Sequence, residues 1–92
     1  MYARQIKITN RTGLHARPAS NFTLKAKEFE AKIFIRNLDD LNSEAVNAKS
    51  VMKILAAGIQ SGTTIEIAAD GADEQNAVNA LVDLVQSGLG ES

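Results

Sequence analysis

The residues best suited to chemistry lie in one short segment near the amino end, where His15 is followed by Arg17 and Pro18. Proline favours the first turn of a helix, because the amides of that turn have no intrahelical acceptor and its fixed φ suits helix entry. His15 is therefore predicted to lie just before a helix, beside unpaired N–H groups and the positive end of the helix dipole. Both features favour a bound anion at this point.

This arrangement suits a histidine that carries a phosphoryl group. Neutral imidazole is a competent nucleophile near pH 7, and the Arg17 guanidinium offers a fork of donors that matches phosphate oxygens. The alternative is that His15 is an ordinary polar surface residue beside a helix cap, which is the usual role of a single histidine there. Position and residue type leave both interpretations open.

Composition excludes several other kinds of site. The chain of 92 residues has one histidine and no cysteine, which excludes a thiolate metal site, a cysteine nucleophile and a disulfide scaffold. No phosphate-binding loop of the G-x-x-x-x-G-K-[ST] type occurs. We expect no metal and no cofactor.

The segments that must position His15 alternate between strand and helix patterns. The predicted strands cover about residues 2–9, 31–36, 44–48 and 63–69; the predicted helices run from Ala16 to about Lys27, from the cap Ser50 to Gly58, and from the cap Asp73 to about Ser87–Gly88. The order βαββαβα predicts an α+β fold. It is an open-faced β-sandwich, in which three helices cover one face of a four-stranded, mostly antiparallel sheet.

Length and hydropathy predict one folded domain over residues 1–92. The longest apolar run is about three residues, as in Ile33–Ile35, far short of the roughly 18 to 20 that cross a bilayer. Residues 1–5 lack the pattern of a signal peptide. We therefore expect a cytoplasmic protein without membrane insertion.

Charge is distributed unevenly along the chain. All ten Lys and Arg lie in residues 1–53 with five acidic residues, a net charge of +5, whereas residues 54–92 carry six acidic residues and no basic one. A basic face can recruit an acidic protein, a phosphorylated ligand or nucleic acid. The alternative is a solvated surface on which the asymmetry is incidental.

The string Gly13–Ala19, Gly-Leu-His-Ala-Arg-Pro-Ala, resembles the active-site signature of the HPr family. These proteins are the histidine-containing phosphocarriers of the bacterial phosphoenolpyruvate-dependent phosphotransferase system. Residues 48–54 resemble the second signature of the family, and residues 71–75 with the helix after them resemble its last segment. The order βαββαβα is also that of the family.

The resemblance implies a phosphoryl carrier that is not a free-standing enzyme. His15 would accept a phosphoryl group on Nδ1 from phospho-enzyme I and pass it to an enzyme IIA. Arg17 would help to hold the phosphoryl oxygens, together with the backbone of the helix start at Ala16, Arg17 and Pro18.

The resemblance also implies a docking surface for these partner proteins. Leu14, Val51 and Met52 would be exposed apolar docking residues, and Lys27 and Lys53 would belong to a basic rim that meets acidic partners. The alternative for Val51 and Met52 is a place in the core, since the short helix must also bury some side chains.

Ser50 matches the regulatory serine of the family, which a dedicated HPr kinase/phosphorylase modifies in many Gram-positive bacteria. A phosphate there would add about −1.5 to −2 charges to the docking surface and could weaken binding to enzyme I. The alternative is that Ser50 is only a helix cap, worth about 1 kcal/mol.

Two departures bear on the branch of the family. Residues 36–47 form a stretch about four residues longer than in enteric HPr, and residues 36–37 and 84–89 are similar to NPr, the nitrogen-related regulatory branch. A regulatory binding module controlled through Ser50, with a transcriptional regulator as a further partner, is thus the alternative function. An RNA-binding domain is disfavoured by four aromatic residues and a pI near 5.7, so we expect no nucleic-acid partner, and a monomer.

Overall fold

The structure is a computed structural model, and it describes residues 1–90. Its elements are β1 (Tyr2–Lys7), α1 (Ala16–Ala26), β2 (Lys32–Asn37), β3 (Val46–Asn47), α2 (Val51–Ala56), β4 (Thr64–Asp70) and α3 (Glu74–Gln86). The predicted order βαββαβα is confirmed. Within residues 1–90, no helix has both the length and the apolar character needed to cross a membrane.

The four strands form one sheet in the order β1-β4-β2-β3, and each neighbouring pair is antiparallel. Helix α3 packs on β4, β1 and β2, and α1 packs on α3 and α2. The helices therefore cover one face of the sheet and leave the other to solvent. This confirms the predicted open-faced α+β sandwich.

The core lies between the sheet and the helices, and it follows the two periodicities of the sequence. On the sheet, every second residue points inward. These inward residues are Ile33 and Ile35 on β2 and Ile65, Ile67 and Ala69 on β4, all buried. On the helices, the buried side chains recur at spacings of three and four. They include Ala19, Phe22 and Ala26 on α1 and Val78, Leu81, Val82 and Val85 on α3. The packing fixes α1 on the rest of the molecule.

Strand β3 is shorter than predicted. Only Val46 and Asn47 pair with β2, where a strand over about 44–48 was expected. The residues before it close turns of their own, since Asp40 accepts hydrogen bonds from the Asn42 and Ser43 amides through its side chain and its carbonyl. The turns extend to Ser43, and the exposed Glu44 and Ala45 link them to β3.

The start of α3 also differs from its prediction. Asp73 is the N-cap residue, but its side chain makes no capping hydrogen bond. Its two carboxylate oxygens instead accept the amides of Glu30 and Ala31, each at 2.9 Å. These bonds, that of Glu30 first, hold the pKa of the Asp73 carboxyl below its usual range. Asp73 therefore fixes the entry to β2.

Candidate functional site

The loop that carries His15 is braced by a second loop, which follows α2. The Ile8 amide donates to the Thr63 carbonyl at 2.8 Å, and the Leu14 amide donates to the Ile59 carbonyl at 2.9 Å. Between them Gly13 has φ 68°, and a Cβ atom there would lie 2.7 Å from the Ile59 oxygen. Only glycine fits this close backbone approach without strain, so Gly13 sets the distance between the two loops.

Leu14 was predicted as an exposed docking residue, and this is wrong. Its side chain is fully buried in the core. The reason is local geometry: His15 has extended backbone dihedrals, φ −123° and ψ 157°, and neighbouring side chains of an extended segment point in opposite directions. Leu14 therefore anchors the loop in the core while His15 is exposed to solvent.

His15 is the N-cap residue of α1, and no capping hydrogen bond of its imidazole occurs among residues 1–90. Ala16 follows with φ 47°, a left-handed conformation that an alanine rarely adopts. Such strain persists only where the surroundings over-determine the backbone, as the bracing on both sides of this loop does. The exposed imidazole is thus held at a fixed place, and its ring is not engaged in capping.

His15 lies in an open depression of about 440 Å³ at the amino end of α1. The residues that line it are Arg11, Thr12, His15, Ala16, Arg17, Pro18 and Gly90. Of the predicted site residues, the structure thus brings His15, Ala16, Arg17 and Pro18 together in one depression. Ser50 and the rest of α2 do not line it.

The depression is suited to an anion. The first amides of a helix have no intrahelical acceptor and lie at the positive end of its dipole, which applies to Ala16 and Arg17. Pro18 was named with them as part of the helix start, and it has no N–H to donate. Pro18 is buried and fixes the start of the helix.

Sequence reasoning missed three residues that line this depression, Arg11, Thr12 and Gly90. Arg11 brings a second cation, and its place four residues before His15 was a signal that could have been used. Gly90 comes from the far end of the described chain, and no local pattern predicts its position there. Only the packing of α1 against α3 brings the two ends together.

Ser50 caps α2 as predicted, since its Oγ accepts the Lys53 amide at 3.3 Å. The next residue, Val51, is half-buried against the core, whereas Met52 is 74% exposed, which rules out a core role for Met52. Lys27 and Lys53 are both exposed.

The exposed side chains of α1 and α2 include two leucines that were not predicted, Leu24 at 62% and Leu55 at 38% exposure. We call the set Leu24, Lys27, Met52, Lys53 and Leu55 the α1–α2 surface. Leu24 does not follow the spacing of three and four residues that the buried side chains of α1 share. Its exposure could therefore have been predicted from the sequence. Exposed apolar side chains flanked by polar and charged residues are typical of a protein-docking surface.

The long connection after β2 borders this surface. A groove of about 380 Å³ separates it from α2, with Asp40 and Glu44 on one side and Lys53 on the other. The connection starts close to β4, because Asp39 accepts the Thr64 amide at 3.0 Å. It therefore places negative charge beside one edge of the α1–α2 surface.

Among residues 1–90, no three His, Cys, Asp or Glu side chains are grouped so that they could hold a metal ion. The groups in the depression that can act on an anion are the imidazole, the two guanidinium groups and the backbone amides that line it.

The family model described as "PTS HPr component phosphorylation site" matches residues 2–87. Among solved structures, the chain is similar to the crystal structure of HPr-C-His from Thermoanaerobacter tengcongensis, with a TM-score of 0.90 and 41% identity over 100% of this chain and 99% of that one. Among curated relatives, it is 38% identical to phosphocarrier protein HPr of Neisseria meningitidis serogroup A over 99% of this chain and 98% of the relative.

A longer relative matches as well. The multiphosphoryl transfer protein of Haemophilus influenzae is 42% identical over 91% of this chain, which spans 17% of that protein's length.

Proposed function

Because the chain belongs to the HPr family, the phosphocarrier proteins of the phosphotransferase system, which are not free-standing enzymes, we propose that it carries a phosphoryl group on His15. The group would come from phospho-enzyme I and go to an enzyme IIA. The observation that supports this best is the place of the His15 imidazole. It is exposed at the start of α1, makes no capping hydrogen bond to the helix, and shares one depression with Arg17.

In the proposed transfer, the lone pair of His15 Nδ1 forms the N–P bond as the bond between phosphorus and the donor breaks. The electron pair of that bond leaves with the donor. Charge on the phosphoryl oxygens is met by the Arg17 guanidinium and by the Ala16 and Arg17 amides. Such a transfer depends on positioning and electrostatics, so an open site that each partner completes in turn is sufficient.

In this proposal, the depression and the α1–α2 surface have different binding roles. The depression binds the phosphoryl group, and the α1–α2 surface binds the partner through apolar contacts and a basic rim. Met52, Lys27 and Lys53 keep the docking roles predicted for them, Val51 contributes its exposed part, and Leu14 has no docking role.

The test is intact-mass spectrometry after incubation with phosphoenolpyruvate and an active enzyme I. We expect a single phosphoryl adduct on the wild type, its loss on acid treatment, and no adduct on His15→Ala. Arg17→Ala should still be modified, but about 10²-fold more slowly, as when one preorganised donor to a reacting phosphoryl or acyl group is removed. An adduct on His15→Ala, or none on the wild type, would overturn the proposal.

A second function is favoured by the place of Ser50, directly before Val51 and Met52 in the chain and bonded to the Lys53 amide. We propose that phosphorylation of Ser50 by a kinase of the HPr kinase/phosphorylase class lowers the affinity for enzyme I, because the phosphate adds negative charge within the basic rim. In that role the protein would act as a regulatory binding module, and its partners would include a transcriptional regulator.

The Ser50 proposal is tested with Ser50→Asp, for which we expect a several-fold slower phosphorylation of His15 by enzyme I. Asn76→Asp is the matched control, because it adds the same charge to the first turn of α3, away from α2. Equal rates for Ser50→Asp and the wild type would contradict the switch and leave Ser50 as a helix cap.

A further inference from the structure

The chain turns back sharply after α3. The Leu89 amide donates to the Leu84 carbonyl at 3.0 Å, and the Gly88 amide donates to the Val85 carbonyl at 3.1 Å, which together form a Schellman motif. The Leu89 side chain is fully buried in the core. The turn is therefore anchored on α3 by its backbone and in the core by one side chain.

A third contact joins this turn to α1. The Asn21 side chain, half-buried on α1, donates from Nδ2 to the Leu89 carbonyl at 3.0 Å. Gly90 packs so closely on the same amide group that a Cβ atom at Gly90 would collide with Asn21 Nδ2. Asn21 thus contacts both residues of the turn, Leu89 by a hydrogen bond and Gly90 by packing.

Gly90 in turn lines the depression that holds His15 and Arg17. The Leu89–Gly90 turn is therefore one wall of the proposed phosphoryl site. Within residues 1–90, this turn is the only part of the lining of the depression that comes from outside residues 11–18. Its position depends on a side chain of α1 that itself does not line the depression.

We propose that Asn21 is a positioning residue that holds the Leu89–Gly90 turn against the phosphoryl site and so slows the loss of the phosphoryl group to water. This inference rests on the proposed function of His15. In the side reaction, a water oxygen forms a bond to phosphorus as the P–N bond breaks. The electron pair returns to the ring nitrogen, and inorganic phosphate with the protons of the water is released. A carrier benefits when water is kept from a reactive intermediate.

The fold does not need Asn21 to place Leu89, because the Schellman motif and the buried side chain already do so. Removing the Asn21 amide should therefore loosen the Gly90 side of the turn and leave the core in place. Asn21→Asp is the sharpest variant, since it keeps the shape and replaces the donor with an acceptor that faces the Leu89 carbonyl. Asn76→Ala is the matched control, an exposed asparagine in another helix.

The experiment is to phosphorylate each protein with enzyme I and phosphoenolpyruvate, remove both, and follow loss of the adduct by intact mass between pH 5 and 9. Thermal unfolding shows that each variant is folded, and hydrogen exchange of the Leu89 amide, which donates to the Leu84 carbonyl, reports the turn. We expect Asn21→Ala and Asn21→Asp to shorten the half-life of the adduct about two- to tenfold, the range that one hydrogen bond spans. Asn76→Ala should keep the wild-type half-life.

Gly90→Ala tests the same contact from its other side. It should shorten the half-life on its own, because the added methyl group collides with Asn21 Nδ2 and because alanine is strained at φ 84°. In the Asn21→Ala background only the strain remains, so the added loss should be smaller than in the wild type. A purely structural role would instead give additive effects that follow the melting temperature.

A folded Asn21→Ala whose adduct has the wild-type half-life across the pH range would overturn the inference and leave the carrier function intact. A wild type that gains no adduct would overturn both.

Discussion

Leu14 and His15 are neighbours in the chain with opposite environments, the first fully buried and the second exposed. The buried leucine holds the loop in the core, and its amide is bonded to the Ile59 carbonyl. The His15 side chain is thus placed by the residue before it. A substitution at Leu14 should therefore lower the stability of the whole protein. It should affect the docking of partners only through that loss of stability.

We predict that Leu14→Ala lowers the free energy of unfolding by about 2 to 5 kcal/mol, the range for a buried leucine whose removal leaves a cavity. Urea denaturation measures this. Leu24→Ala is the control, because Leu24 is 62% exposed and a surface change of this kind stays within about 0.5 kcal/mol. A Leu14→Ala protein as stable as Leu24→Ala would contradict the burial of Leu14.

The residues around His15 show what could be predicted at this scale. Pro18 was placed at a helix start by its chemistry, and His15 and Arg17 were candidates by type and position. Only the resemblance of residues 13–19 to the HPr signature favoured a phosphoryl carrier over an ordinary surface histidine. The side of Leu14 could not be predicted, since it belongs to no strand or helix whose periodicity would assign it. The contacts of Asn21 with Leu89 and Gly90 could not be predicted for another reason, since the hydrogen bond from Asn21 to Leu89 joins residues 68 apart in the chain.

At the scale of elements, one carboxylate joins the start of α3 to the start of β2. Asp73 lies at the start of α3 and binds the amides of Glu30 and Ala31 at the start of β2. The sequence predicted both elements from their patterns but assigned Asp73 to its own helix. Local patterns find helices and strands, and they do not show which side chain reaches across from one to another.

The lowered pKa of Asp73 makes this link dependent on pH. Because the carboxyl is more acidic in the folded protein than in the unfolded one, its contribution to stability is present above its usual pKa and is lost as pH falls through the lowered value. We predict that Asp73→Asn melts at a lower temperature than the wild type at pH 7 and that the difference narrows as pH falls below about 4.

Thermal unfolding from pH 7 to pH 2.5 checks this. Asp83→Asn, an exposed carboxylate on the same helix, is the control. A gap between Asp73→Asn and the wild type that stays constant down to pH 2.5 would contradict the assignment.

At the scale of the whole molecule, the uneven charge of the sequence becomes two different surfaces. On the solvent-facing side of the sheet, basic residues are matched by acidic ones in register, Lys32 opposite Asp70 and Arg36 opposite Glu66. On α1 and α2, Lys27 and Lys53 are exposed, and neither takes part in a described ion pair. Lys27 and Lys53 are therefore cations on the helical side that can attract an acidic partner.

We predict that Lys27→Glu slows phosphorylation of His15 by enzyme I several-fold at low salt and that the difference shrinks as ionic strength rises, because salt screens the attraction that speeds encounter. Lys7→Glu on the open face of the sheet changes the net charge equally and is the control. Initial rates between about 10 and 500 mM salt, over which the Debye length falls from roughly 30 Å to a few ångströms, measure both. Equal losses for the two variants would place the docking charge elsewhere.

The depression around His15 is open to solvent, and this limits how a small molecule could block it. Drug-sized ligands gain their affinity from clefts that bury most of their surface. The depression, at a helix start and with two arginines, offers mainly salt-sensitive contacts to small anions. A molecule that blocks this protein would have to cover a larger area. The α1–α2 surface, with its exposed Leu24, Met52 and Leu55, is the area that a peptide or a small folded binder could occupy, and an antagonist would then compete with the partner instead of the phosphoryl group.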